Sequence, residues 1–262
     1  MIDNYIVVQG NFGISPDSNI GGVSPEDQHK IINSWAPYKE KLIISTWLDT
    51  PKDIKHLLNS SGFRVIYSEY PAFKGYGNAN CQAVSTSIGA SIASDLGATH
   101  IFKTRTNLLV TNLNELFQSI HENNLDNKIS ALSWDDWGEG KLITDEVMFG
   151  TVDQILDYYA PVSVEKHTER YFANRYCSNI ENKEVEIKTF EEAKKYFYFF
   201  MKDILKKDVE IISLKRYHMT PEGKDYISYH TNQEMGPNSK WPWFREPNQW
   251  FKDNNPNKRY LW

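Results

Sequence analysis

The run Ile101-Phe-Lys-Thr-Arg-Thr-Asn107 closes a short β-rich stretch on a guanidinium and an amide. In open α/β sheets, polar groups at the carboxyl end of a strand are where ligands bind. Arg105 carries a planar fork of donors that suits phosphate oxygens. Asn107 could hydrogen-bond a ligand, or cap the turn after the strand, as asparagine often does. Acids gather downstream. Asp135 and Asp136 lie between Trp134 and Trp137, whose rings could stack on a sugar face, and Asp145 and Glu146 precede the apolar run Val147-Met-Phe149-Gly150. A carboxylate in a short loop before a buried strand is placed to take a proton from a hydroxyl, although any of these acids could be simply solvated. Gln9-Gly10-Asn11 ends another β-branched run, and Gly10 would let backbone come close to a ligand or make an ordinary turn. Asn80 and Gln82 open a helix whose free N–H groups suit an anion, with a plain N-cap the alternative for Asn80. His230 stands alone and reads as structural before it reads as a metal or phosphate ligand.

The elements that must position these groups alternate regularly. Strands are expected at Tyr5–Val8, Lys41–Thr46, Phe63–Tyr67, His100–Thr104 and Lys128–Trp134. Between them come helices from Ser24-Pro25 to about Trp35, from Asp49-Thr50-Pro51 onward, over Asn78–Leu96 and over Leu113–His121. Strand-helix alternation at this spacing implies βαβ units and a mainly parallel sheet. Within 78–96, Val84, Ile88, Ile92 and Leu96 form a four-residue stripe expected to face the core. A strand-like Val147–Phe149 leads to a helix from Val152. Thr189-Phe-Glu-Glu192 is a capping box, expected to open a helix with apolar positions at 193, 196, 197, 200, 201 and 204. Val209–Leu214 reads as a strand. Beyond Pro221 the chain is rich in Trp, Pro and Asn, and Trp241, Trp243 and Trp250 could line an acceptor groove or pack an irregular tail.

Composition narrows the function. With 262 residues, 40% hydrophobic and 24% charged, the chain is long enough for one sizeable α/β core. A net charge of −5 argues against electrostatically driven nucleic-acid binding. Two cysteines, Cys81 and Cys177, are too few for a disulfide framework and lack metal-ligand spacing. No run approaches the roughly 20 apolar residues that span a bilayer. The expectation is a soluble cytoplasmic protein without a transmembrane segment, with peripheral membrane contact left open.

Five motifs in register resemble the WavE-type lipopolysaccharide and capsule-synthesis family: Val7-Val8-Gln9-Gly10, Ile43-Ile44-Ser45-Thr46-Trp47, Asn78-Ala-Asn80-Cys81-Gln82, Lys103-Thr-Arg105-Thr-Asn107 and Asp145-Glu146-Val-Met-Phe149-Gly150. The likeness covers about residues 5–160. It implies a GT-A-like, Rossmann-like α/β fold with a mostly parallel sheet flanked by helices and an aromatic-rich C-terminal extension. Residues 1–160 would then be a nucleotide-sugar-binding core and residues 161–262 a helical and irregular extension packed on the same domain. The resemblance implies a glycosyltransferase acting between a nucleotide-sugar donor and a glycan or glycolipid acceptor, in polysaccharide synthesis. It assigns Gln9, Gly10, Asn80, Gln82, Arg105 and Asn107 to the donor, Asp135, Asp136 and Trp137 to the acceptor, and Asp145 to catalysis, with Glu146 as the neighbour that could replace it and Asp135 and Asp136 as rivals for the role. A divalent cation, Mn²⁺ or Mg²⁺, would bridge the donor diphosphate. The family carries Asp where this chain has Asn107, which would bring an amide oxygen without charge, and Arg where this chain has Cys81. The alternatives are a catalytically silent glycan-binding or scaffolding protein and a nucleotidyltransferase. The latter ordinarily wants a basic phosphate loop, and residues 9–23 contain no Lys or Arg.

Overall fold

The structure is a computed structural model that describes residues 3–12, 22–23, 25–75, 78–110, 113–122, 127–131, 134–136, 141–143, 145–160 and 168–199, with four short strands between 211 and 235. Seven strands form the central sheet: β1 (Asn4–Gln9), β2 (Leu42–Trp47), β3 (Arg64–Ser68), β4 (His100–Arg105), β5 (Ile129–Ala131), β6 (Met148–Thr151) and β7 (Phe197–Phe199). Their spatial order is β3-β2-β1-β4-β6-β5-β7. All pairings are parallel except those of β6, which runs against both β4 and β5. The expected mostly parallel α/β sheet is therefore present.

Among the described residues, six helices cover the two faces: α1 (Pro25–Trp35), α2 (Lys52–Ser60), α3 (Ala79–Asp95), α4 (Leu113–Glu122), α5 (Val152–Tyr158) and α6 (Thr168–Glu181). Side chains alternate across a strand, so each strand feeds two cores. Ile6, Val8, Leu42, Ile44, Phe102 and Phe149 pack with α1, α2 and α4. Val7, Ile43, Ile101 and Met148 face α3, α5 and α6. Aromatic rings fill the second core near its C-terminal end. Tyr158 lies 5.0 Å from Tyr159, 5.9 Å from Phe172 and Tyr176, and 6.2 Å from Phe197, measured between ring centroids.

The α3 stripe is a correction. Val84, Ile88 and Ile92 are only half-buried and Leu96 is exposed, while Ala79, Ala83, Ser85, Gly89, Ala90 and Ala93 meet the sheet. The reason is the closeness of the contact: a Cβ on Gly89 would stand 2.5 Å from Val7 Cγ1. Only the small-residue face lets the helix approach that far, which leaves the large aliphatics at the sides.

A second correction concerns the C-terminal part. The capping box at Thr189 forms as expected, but its helix is a single turn, Phe190–Ala193. Of the expected apolar positions, Phe197 enters the sheet instead: Phe197, Tyr198 and Phe199 pair in parallel with β5, with Phe197 and Phe199 buried on the α3 side, while 200, 201 and 204 lie outside the described residues. The expected strand at 128–134 divides into β5 and a separate strand, Trp134–Asp136, which pairs with Lys141–Ile143. The strand expected at 209–214 is present as Ile211–Ser213. Trp137, His230, Trp241, Trp243 and Trp250 lie outside the described residues.

Candidate functional site

Strand order reverses at β1: β2 and β3 lie to one side of it and β4 to the other. The carboxyl edge between β1 and β4 is thus the topological switch point, where such sheets bind ligands. Gln9 and Arg105 are register partners across it. Because β6 is antiparallel, its amino-terminal end comes to the same edge and brings Asp145 and Glu146 there.

The β1 side of this edge is held by protein contacts. Gln9 is buried, and its Oε1 accepts a hydrogen bond from Ser85 Oγ of α3 at 2.9 Å. Gly10 adopts φ +125°, and a Cβ there would lie 2.9 Å from Thr106 Oγ1. Thr106 in turn donates its N–H to Gln9 O at 3.0 Å and its hydroxyl to Asn11 O at 3.0 Å. Gly10 is therefore required by the loop after β4, which crosses where a side chain would be. Asn80 is not the cap of α3. That position belongs to Asn78, left-handed at φ 61° with no side-chain cap bond. Asn80 instead donates from Nδ2 to Phe73 O at 3.0 Å, and its backbone N–H is taken by Lys74 O. Gln82 is half-buried, with its Oε1 enclosed. Cys81 is buried, and loss of water pushes its thiol up to about 11, so it stays protonated.

The β4–β6 side carries charge. Arg105 Nη1 stands 3.6 Å from Glu146 Oε1, and both side chains keep some exposure. Asn107, 4% exposed, lies in the turn leaving β4. Asp145 is buried. Its Oδ2 lies 4.0 Å from Lys103 Nζ, and its main-chain carbonyl accepts a short hydrogen bond from the same ammonium. Tyr159 Oη is 3.3 Å from both the carbonyl and Oδ2, and the Lys103 ammonium sits 4.9 Å from the Tyr159 ring centroid. Asp145 Oδ1, by contrast, has no donor among the described residues, an unusual state for a buried carboxylate oxygen.

Electrostatics reflect the crowding of like and unlike charge. Burial lowers Lys103 to about 8, against the opposing pull of Asp145. Glu169, in the first turn of α6, is raised from 4.5 to about 7 by loss of water and then by Asp145. Burial raises Tyr159 well above its ordinary value, with Asp145 adding to the effect, so its phenol remains a donor.

Sequence reasoning assigned roles to neither Lys103, Tyr159 nor Glu169. A lysine inside the buried run Ile101-Phe-Lys-Thr was the available signal for the first. Nothing in sequence links Glu169 to Asp145. Side chains of Asp135 and Asp136 lie outside the described residues, and only their backbone, in the 134–136 strand, is placed.

A divalent cation fits the described residues poorly. No three His, Cys, Asp or Glu side chains converge among them, Asn107 brings no charge, and Glu146 is already beside Arg105.

No protein-family model matches the chain, and no curated protein sequence does. The WavE-type resemblance therefore rests on its five motifs. Some solved structures are weakly similar to the chain. A mannose-1-phosphate geranyltransferase from Thermus thermophilus is 12% identical, with 71% of this chain and 70% of that one covered at a TM-score of 0.38. A nucleoside-diphosphate-sugar pyrophosphorylase from Vibrio cholerae is 13% identical over 80% and 94%, at 0.35. The bifunctional IspDF from Campylobacter jejuni is 12% identical over 73% and 50%, at 0.38. Likeness at this level assigns no activity. No helix among the described residues is long and apolar enough to cross a membrane.

Proposed function

We propose that the chain is a glycosyltransferase of the WavE type, moving a sugar from a nucleotide-sugar donor to a glycan or glycolipid acceptor in polysaccharide synthesis. The observation that carries this reading is the buried Oδ1 of Asp145, without a donor among the described residues, at the switch-point edge, in the loop entering the strand that borders the one bearing Arg105. A carboxylate oxygen without a donor is ready to accept a proton from an acceptor hydroxyl. As the hydroxyl oxygen bonds to the anomeric carbon, the bond from this carbon to the donor diphosphate breaks. Arg105 supplies positive charge to the departing diphosphate, after releasing Glu146. Gln9, Gly10, Asn80, Gln82 and Asn107 shape the donor side of the site, the first three through the contacts described above. Asp135, Asp136 and Trp137 belong to the acceptor side. No step is routed through a metal.

The test is a thermal-shift screen of nucleoside diphosphates and nucleotide sugars with Mn²⁺, Mg²⁺ or EDTA, followed by donor hydrolysis. A ligand at 100 times its dissociation constant stabilises the native state by about 2.7 kcal/mol. Stabilisation that persists in EDTA is expected, because Arg105 carries the diphosphate. Asp145→Asn should keep that shift and lose about 10²–10⁴-fold in turnover. No shift with any nucleotide would sink the reading in favour of a glycan-binding protein. Pyrophosphate release from a nucleoside triphosphate and a sugar phosphate would replace it with a nucleotidyltransferase.

A further inference from the structure

Lys103 has an address that a sheet strand rarely gives a lysine. It is fully buried at the centre of β4, between Val7 of β1 and Met148 of β6 in register, on the face covered by α3, α5 and α6. An ammonium enclosed this way costs several kcal/mol unless its partners are well placed. A methionine would fill similar volume without that cost. The partners here all belong to one residue or surround it: the Asp145 carbonyl, the Asp145 carboxylate at 4.0 Å and the ring of Tyr159, whose hydroxyl also reaches Asp145. Residues 103 and 145 are 42 positions apart, and their contact fixes the loop entering β6 against β4.

We propose that Lys103 is the positioning residue of the site: it fixes the place of the Asp145 carboxylate at the switch-point edge. The inference rests on the reading of Asp145 as the proton acceptor. Lys103 touches Asp145 through both its main chain and its side chain, so the contact restrains the loop position and the carboxylate together. One carboxylate oxygen faces the ammonium and the phenol, which leaves Oδ1 for a ligand. Among the described residues, the charged and titratable groups around Asp145 are Lys103 and Arg105 from β4, Glu146 beside it, Tyr158 and Tyr159 at the end of α5, and Glu169 from α6. Two acids and two cations share this space with it. Removing the buried cation therefore leaves Asp145 facing like charge.

The experiment needs no substrate. Protein labelled with ¹³C at the aspartate carboxyl carbon is compared by NMR at a single pH, with the Asp145 signal assigned by its loss in Asp145→Asn. In Lys103→Met the Asp145 signal should move, because the carboxylate loses the ammonium that places it. Lys103→Arg, which keeps the charge, should bring it most of the way back. In thermal melts, Lys103→Met/Asp145→Asn should melt above Lys103→Met, because the double variant leaves no lone buried carboxylate. An unchanged Asp145 signal in Lys103→Met, or a double variant no more stable than the single one, would overturn the assignment, including the case in which neither variant folds. If both effects appear while the native protein hydrolyses no nucleotide sugar, the Lys103–Asp145 pair stands and only the transferase reading falls.

Discussion

The two faces of the central sheet are built from different materials. On the α1, α2 and α4 side, the core is made of large apolar side chains, Phe12, Trp35, Leu42, Ile44, Phe102 and Phe149 among them, all buried. On the α3, α5 and α6 side, the strands present Gln9, Ser45, Lys103 and Arg105 near their carboxyl ends, and α3 meets them with alanine, serine and glycine. Both faces bury apolar area, the second through Tyr158, Tyr159, Phe172, Phe197 and Phe199. Only near the switch point does the second face give up apolar area to hold polar groups in fixed positions. Polar groups are costly inside unless each finds a partner, and here Gln9 finds Ser85, Lys103 finds Asp145 and Arg105 finds Glu146. The lesson is a division of labour across one sheet, with both faces supplying stability and the candidate site confined to the carboxyl edge of one of them.

The sharpest way to break this division is to empty each face in turn. Phe102→Ala, on the apolar face, should cost about 3–5 kcal/mol in denaturant unfolding, while the folded fraction keeps its nucleotide-induced thermal shift. A loss of that shift at equal folded fraction would mean the two faces are not separable. Gly89→Ala tests the other side. Helix propensity favours alanine by up to about 1 kcal/mol, but the new Cβ would meet Val7 Cγ1 at 2.5 Å. Val7 is a β-branched residue in a strand, with little freedom to turn away. Overpacking of this kind costs about 1–3 kcal/mol, so a net loss of stability is expected; a gain would show that α3 can lift without penalty.

Arg105→Gln should be gentler on the fold. Arg105 and Glu146 are partly exposed, and pairs of that kind contribute about 1 kcal/mol or less. The urea midpoint should barely move, whereas the thermal shift from nucleoside diphosphates should vanish. If the shift survives, the diphosphate does not sit on Arg105.

How much of this was legible in sequence depends on whether periodicity or long-range contact carried the information. The strands up to β4 and helices α1, α2, α3 and α4 lie within a few residues of where the hydrophobic pattern puts them, because turn and cap residues such as Pro25 and Pro51 mark their starts. Pattern failed where two faces competed. The Val84, Ile88, Ile92 and Leu96 stripe has helical spacing, yet the closeness of Val7 selects the opposite, small-residue face. Phe197 and Phe199 suit either a helix or a strand, and the free edge of β5 decided for a strand. The edge of the site was legible, since Gln9, Arg105 and Asp145 all reach the carboxyl end of the sheet. What holds them there was not, because Gln9–Ser85 and Lys103–Asp145 join residues 76 and 42 positions apart.

The smallest expected effect bears most directly on the crowding of charge on the site face. Glu169 titrates at about 7 in the folded protein against 4.5 ordinarily, because of lost water and the nearby Asp145. Between those values the native state holds a proton that the unfolded chain has released, so the stability this group contributes is complete below pH 4.5 and lost as pH rises through 7. Lys103 works in another window: its value falls to about 8 from 10.5, so its burial penalty is relieved only as pH rises from 8 to 10.5. Glu169→Gln removes the first dependence and leaves the second. The variant should melt close to the native protein near pH 4.5, where Glu169 is largely protonated in the folded state, and above it at about pH 8, where the native protein must hold an ionised Glu169 beside Asp145. Glu186→Gln is the control, since Lys188 and Arg170 hold that exposed carboxyl below its ordinary value, and removing it should bring no gain at the higher pH. Equal melting of Glu169→Gln and the native protein at both pH values would show that Glu169 does not share the field of Asp145. In that case the acid surplus on this face would be confined to Asp145 and Glu146.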